Sequence, residues 1–202
     1  MRIKIAILLI LYAVGAIGIN TDFGFVFAAL TPINLLISAA LIFPRHPDPR
    51  FIAISTLIFL LSYAVEALGI HTGFPFGDYR YLDNLGIKLW EVPLLIGLNW
   101  WLMVYGSLQV MLRFGIDRGW QVIGAATLML GFDYILEMQA TRLGMWQWEL
   151  VVPPWQNYAA WWVIGAVLAL IGQKKLTETA NPMAAFLFVL QWIFFAVLVL
   201  TN

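Results

Sequence analysis

Apolar residues gather into seven runs along this chain, at about residues 4–19, 25–43, 51–70, 92–112, 119–139, 155–172 and 183–200, with polar gaps between them. A helix rises about 1.5 Å per residue, so roughly 17 to 25 apolar residues cross a hydrocarbon core about 30 Å thick. The pattern predicts an all-α, polytopic bundle of about seven transmembrane helices. Arg2 and Lys4 ahead of the first run also fit a signal peptide, but further spans follow at once. No internal repeat, low-complexity tract or linker interrupts the series, so residues 1–202 read as one domain.

The widest gap, residues 69–93, holds His71, Asp78, Arg80, Asp83, Lys88 and Glu91, punctuated by Gly73, Pro75, Gly77 and Gly86. Loops this long and chemically varied usually carry function. Lysine and arginine are unevenly placed. Arg2, Lys4, Arg45, Arg50, Arg113, Arg118, Lys174 and Lys175 fall on one side, against Arg80, Lys88 and Arg142 on the other. By the positive-inside rule the N-terminus is cytoplasmic and the chain is a multi-pass protein of the cytoplasmic (inner) membrane. The loops at 71–91 and 140–154 then share the outer face.

Composition narrows the chemistry. With 62% hydrophobic and 11% charged residues, the chain departs from the roughly 25% charge of soluble domains. It is an integral membrane protein whose first partner is the lipid bilayer. A net charge of zero argues against nucleic acid as a partner. The absence of cysteine excludes disulfides, thiolate metal sites and a cysteine nucleophile. Two histidines are too few for a histidine-rich di-iron site. A retinal protein would need a lysine in the last span, whose interior polar group is instead Gln191.

Ionisable residues inside a membrane are expensive and mark functional sites by default. Glu66, Asp133 and Glu137 stand out. Glu66 lies roughly 6 Å from the outer end of its span, Asp133 roughly 9 Å, and Asn99 roughly 10 Å below the start of its own. Asn157 and Trp161 enter from the same side, so groups from four helices converge under the outer face. Asp133 and Glu137 are spaced i, i+4 and share a helix face. Two carboxyl groups so close in a medium of low dielectric do not both ionise readily, which makes one of them a candidate general acid. The bland alternative is a hydrogen-bonded network that ties helices together through Asn99, Asn157 or Arg142. His71 suits either a helix end or proton transfer. Together with the carboxylates it makes only a thin metal site. Trp100, Trp101, Trp146, Trp148, Trp155, Trp161 and Trp162 fall in or near the outer half. They read either as an interfacial aromatic belt or as walls that steady a cation beside the acids.

The run Thr72-Gly-Phe-Pro-Phe-Gly-Asp-Tyr-Arg-Tyr81, then Leu85-Gly-Ile-Lys-Leu89, Val92-Pro93 and the stretch 100–105 resembles the membrane carotenoid biosynthesis family that includes the CruF-type carotenoid hydratases. Asp133-x-x-x-Glu137 leading to Gly144-Met-Trp-Gln-Trp148, and Pro154-Trp-Gln-Asn157 leading to Trp161, agree with it, so the motif-bearing core is about 66–162. Met138 departs from the proline that the resemblance leads one to expect after Glu137. The resemblance implies addition of water to the terminal isopropylidene double bond of an acyclic carotenoid end, giving a tertiary alcohol without a redox cofactor or a metal. The substrate it implies is of the gamma-carotene or lycopene type, with other carotenoid-pathway enzymes as possible neighbours. Asp133 or Glu137 would donate the proton, with Glu66 next. Asn99 and Asn157 would hold water, and Trp100, Trp146 and Trp148 would face the cation. His71, Asp78, Tyr79, Tyr81, Lys88, Arg142 and Trp161 complete the residues expected around the substrate. A cyclase or isomerase using the same acid, a small transporter with a proton-relay carboxylate pair, and a non-catalytic carotenoid-binding protein stay open as alternatives.

Overall fold

Helix ends are fixed by capping residues that the sequence supplies. Asp48 precedes Pro49, and its carboxylate accepts the Arg50 N–H at 2.6 Å to open a 24-residue helix. Asn181 precedes Pro182 and accepts from the N–H groups of Met183 and Ala184. Such caps satisfy amides that have no partner inside the helix, and proline at the first position has no amide to lose. The computed structural model describes residues 1–201. Its helices are α1 (Arg2–Ile19), α2 (Gly24–Ala29), α3 (Thr31–Ile42), α4 (Pro49–Thr72), α5 (Leu95–Met111), α6 (Arg118–Ala140), α7 (Trp155–Leu176) and α8 (Pro182–Leu200). Four short strands lie in the loops: β1 (Tyr79–Tyr81), β2 (Lys88–Leu89), β3 (Val92–Pro93) and β4 (Trp146–Trp148).

Six of these helices are long and apolar enough to cross a membrane. The second of the seven expected spans, 25–43, is not one helix. It is divided at Leu30 into α2 and α3, with Pro32 in the first turn of the latter. Proline in a helix interior removes a hydrogen bond and clashes with the preceding turn, so the helix restarts there. The broken pair nevertheless carries the chain from one end of the bundle to the other. Lys4 donates to the Leu41 carbonyl at 2.5 Å and Asn181 to that of Ile42 at 2.7 Å, which gathers the starts of α1 and α8 with the end of α3. At the opposite end Arg142 donates to Asn20 at 3.1 Å, and Asn20 to Thr201 at 3.0 Å.

α5 is the central helix. In its most apolar stretch 67% of residues are buried, against 22% in α1. It packs on α4, α6, α7 and α8, while α1, α2 and α3 close one flank. Close approach of α4 and α5 depends on Gly97, where a Cβ would come 2.9 Å from the Phe59 carbonyl oxygen.

Candidate active site

The loops after α4 and α6 meet as a two-stranded ribbon over one end of the bundle. β1 pairs antiparallel with β4, placing Tyr79 opposite Trp148, Arg80 opposite Gln147 and Tyr81 opposite Trp146. Successive side chains on a strand point to opposite faces. The two tyrosines and two tryptophans therefore share the inner face, while Arg80 and Gln147 point outward and bond each other at 3.3 Å. Gly73, at φ +70°, ends α4 in a left-handed turn, and Gly77, at φ +111°, lies against Pro154. Both are conformations that glycine adopts at little cost.

Each inner aromatic of the ribbon ends on a carboxyl group. Oε2 of Glu66, on α4, accepts from the hydroxyls of Tyr79 and Tyr81, the latter at 2.7 Å, and Oε1 accepts from Trp100 Nε1 at 2.8 Å. Oε2 of Glu137, on α6, accepts from Trp148 Nε1 at 2.8 Å and Trp146 Nε1 at 3.1 Å. Asn157, on α7, bridges the carboxyl pair, its Nδ2 lying 3.0 Å from Asp133 Oδ2 and 3.4 Å from Glu137 Oε1. Asp133 is fully buried, and its Oδ1 has no partner. All these donors are neutral. The ion pairs among the described residues, Lys88–Asp83, Lys175–Asp48 and Lys175–Glu178, lie elsewhere. Burial, and next the charge of Glu66, hold the Tyr79 and Tyr81 phenols well above their ordinary range. They stay protonated and keep donating.

Glu66 and Glu137 line a cavity of about 20 Å³ together with Asn157, Trp161, Phe76 and the ribbon aromatics. That is room for about one water molecule, with polar partners in place. Trp100 stacks on Trp161, ring centres 4.1 Å apart. Alongside lies a larger, mostly apolar cavity of about 260 Å³ between α1, α3, α5, α6 and α8, and Ile96 and Trp146 form walls of both.

The structure thus brings together Glu66, Tyr79, Tyr81, Trp100, Asp133, Glu137, Trp146, Trp148, Asn157 and Trp161. Asn99 lines the larger cavity instead of joining Asn157 in the smaller one. His71 is exposed in the last turn of α4, and Asp78 is exposed at the mouth of the ribbon. Lys88 bonds Asp83 and the Tyr81 carbonyl, both at 3.0 Å, which braces the loop from outside. Arg142 bonds Gln139 and Asn20 at the bundle end, away from the carboxyl pair. Among the described residues no group of three or more His, Cys, Asp and Glu side chains is placed to hold a metal ion. Phe76 and Ile96 escaped the sequence reading because an apolar wall residue resembles any other apolar residue. The ribbon had a legible signal in the paired Tyr-x-Tyr and Trp-x-Trp alternation.

Comparison with known proteins places this chain in a family. The model of the family described as carotenoid biosynthesis protein matches residues 5–202. A bisanhydrobacterioruberin hydratase from Haloarcula japonica is 33% identical over 121 residues, which cover 55% of this chain and 41% of that protein. The chain thus aligns with less than half the length of that relative. No solved structure matches the chain. The family match takes in nearly all of α1, the remaining helices, the ribbon and the carboxyl groups of Glu66, Asp133 and Glu137, and the chain belongs to the carotenoid biosynthesis protein family.

Proposed function

We propose that this protein is a carotenoid hydratase that adds water to the terminal isopropylidene double bond of an acyclic end group, in a substrate of the gamma-carotene or lycopene type. The observation that carries the reading is the pair Glu66 and Glu137 on the wall of a water-sized cavity that adjoins an apolar cavity within the bundle. A relative named as a hydratase supports it.

In this reading the apolar cavity admits one end of the polyene while the remainder lies among lipid. The double bond reaches the carboxyl groups past Ile96 and Trp146. Glu137 donates its proton to the less substituted carbon, the π pair forms the new C–H bond, and a tertiary cation is left. Asp133, joined to Glu137 through the Asn157 amide, lets the pair share a proton, because adjacent carboxyl groups in apolar surroundings resist double ionisation. Water in the small cavity attacks the cation, and Glu66 takes the proton it releases. Three neutral donors, Tyr79, Tyr81 and Trp100, fix the Glu66 carboxyl group on the wall of that cavity. Trp146, Trp148 and Trp161 line the small cavity, where their indoles attract positive charge, with Trp100 stacked against Trp161. Atoms balance as substrate plus one water, and no electrons are exchanged. The N-terminus is cytoplasmic and the ribbon lies on the outer side of the cytoplasmic membrane.

The test is pigment analysis in cells that accumulate lycopene or gamma-carotene. The expected product is heavier by one water, carries heavy oxygen when made in labelled water, and is absent with Glu137→Gln. An unlabelled cyclic product would replace the hydratase with a cyclase. An unchanged pigment profile from well-expressed protein would refute both.

A further inference from the structure

The apolar cavity opens sideways. Most of its wall is buried, but Ile10 and Val14 of α1, and Leu30 and Ile33 at the break between α2 and α3, line it while being 46% to 62% exposed. No lining residue from α5, α6 or α8 is exposed. The mouth therefore lies between α1 and the α2–α3 corner. At about 1.5 Å per residue, Val14 lies roughly 8 Å and Ile10 roughly 14 Å from the end of α1 at Ile19. That range is inside a hydrocarbon core about 30 Å thick, so the mouth faces lipid tails and not water. An open groove of about 440 Å³ runs on from the mouth along α1, past Ile17 and Gly18 to Phe23. Gly18 lets the Phe27 ring close against α1, since a Cβ there would stand 2.3 Å from it. Val14 and Phe27 are walls of both groove and cavity. Groove, cavity and carboxyl site are thus successive spaces with shared walls, first Val14 and Phe27, then Ile96 and Trp146.

We propose that the gap between α1 and the α2–α3 corner is the lateral entrance for the polyene, whose end passes between Val14 and Leu30 into the apolar cavity while its body rests in the groove along α1. The proposal rests on the hydratase reading above and names the helices between which that substrate passes. The exposed residues of the mouth are all hydrocarbon, and a charged group would be costly at this depth. A lipid tail fits the groove as well, yet its headgroup anchors it at the interface. A polyene with no headgroup is free to bring its end sideways through the mouth, and filling the cavity restores the dispersion contacts that its lining otherwise lacks.

The experiment measures lycopene retained by the full chain after purification in detergent from cells that accumulate it, in the Glu137→Gln background so that no turnover occurs. Val14→Trp and Leu30→Trp each place a large ring in the mouth and should lower retention about tenfold, the effect of overpacking a filled space. Leu9→Trp and Leu36→Trp, exposed on α1 and α3 but away from the cavity, should retain lycopene as the background does. With Glu137 restored, Val14→Trp should raise KM for lycopene and leave kcat little changed, as loss of uniform binding does. Where tryptophan prevents folding, phenylalanine at the same position gives the same test. Equal retention in mouth and control variants would overturn the entrance and leave the groove to lipid tails, and an equal fall in all four would also overturn it. If retention responds as expected but the chain with Glu137 yields no water-heavier product, the hydratase reading falls and the entrance stands. If the folded background retains no lycopene, the KM of the active chain decides. With neither retention nor product, both fall.

Discussion

Glu66 and Asp133 are buried and Glu137 is half-buried, with only neutral donors around all three, so their roles separate by substitution at constant shape. Glu137→Gln and Glu66→Gln should each lower hydration by about 10² to 10⁴, the range for general acid and base catalysis, with pigment mass as the readout and expression level as the control. If Glu66→Gln leaves the rate unchanged, Glu66 is not the base. The phenols give a pH test. With Tyr79 and Tyr81 held above their ordinary range in the fold, only the unfolded chain ionises them as pH passes about 10. Their neutral form thus supports stability that is complete below that value and declines above it. The thermal midpoint should fall at alkaline pH, and Tyr79→Phe with Tyr81→Phe should make the fall shallower.

Elements, rather than single residues, bring these groups together. In the ribbon the period-2 alternation decides which side chains matter. Arg80→Ala with Gln147→Ala, on its outer face, should leave hydration within about twofold, since surface substitutions away from special features cost little. Gly77→Ala should abolish hydration with the bundle still helical by circular dichroism, because the added methyl would stand 2.6 Å from Pro154 at a backbone angle alanine resists. The α4–α5 contact is equally specific. Gly97→Val would press on the Phe59 carbonyl and part Trp100 from Glu66, at a cost of about 1–3 kcal/mol measured as a lower unfolding midpoint.

Across the whole molecule, hydrogen bonds at the two bundle ends separate the starts of α1, α4 and α8 from the ends of α1, α6 and α8. The chain has no cysteine, so single cysteines report sidedness cleanly. With the N-terminus cytoplasmic, Glu149→Cys should react with an impermeant thiol reagent from outside intact cells, and Thr179→Cys only after permeabilisation. The reverse pattern would invert the orientation and move the ribbon to the cytoplasmic side.

Hydrophobic run length by itself determined the membrane location, the all-α class and the approximate spans, because crossing a hydrocarbon layer demands long apolar helices whatever their neighbours. The i, i+4 rule likewise put Asp133 and Glu137 on one face before any coordinates. Even the division of the second span was written at Pro32, although hydropathy averages over it. Tertiary structure alone decided that Glu66 joins that pair, that Tyr79 and Trp148 meet across a ribbon, and that Arg142 and His71 stay outside. Those are contacts between residues far apart in sequence. Their existence depends on how helices pack and which glycines let backbones approach, and no local periodicity encodes either.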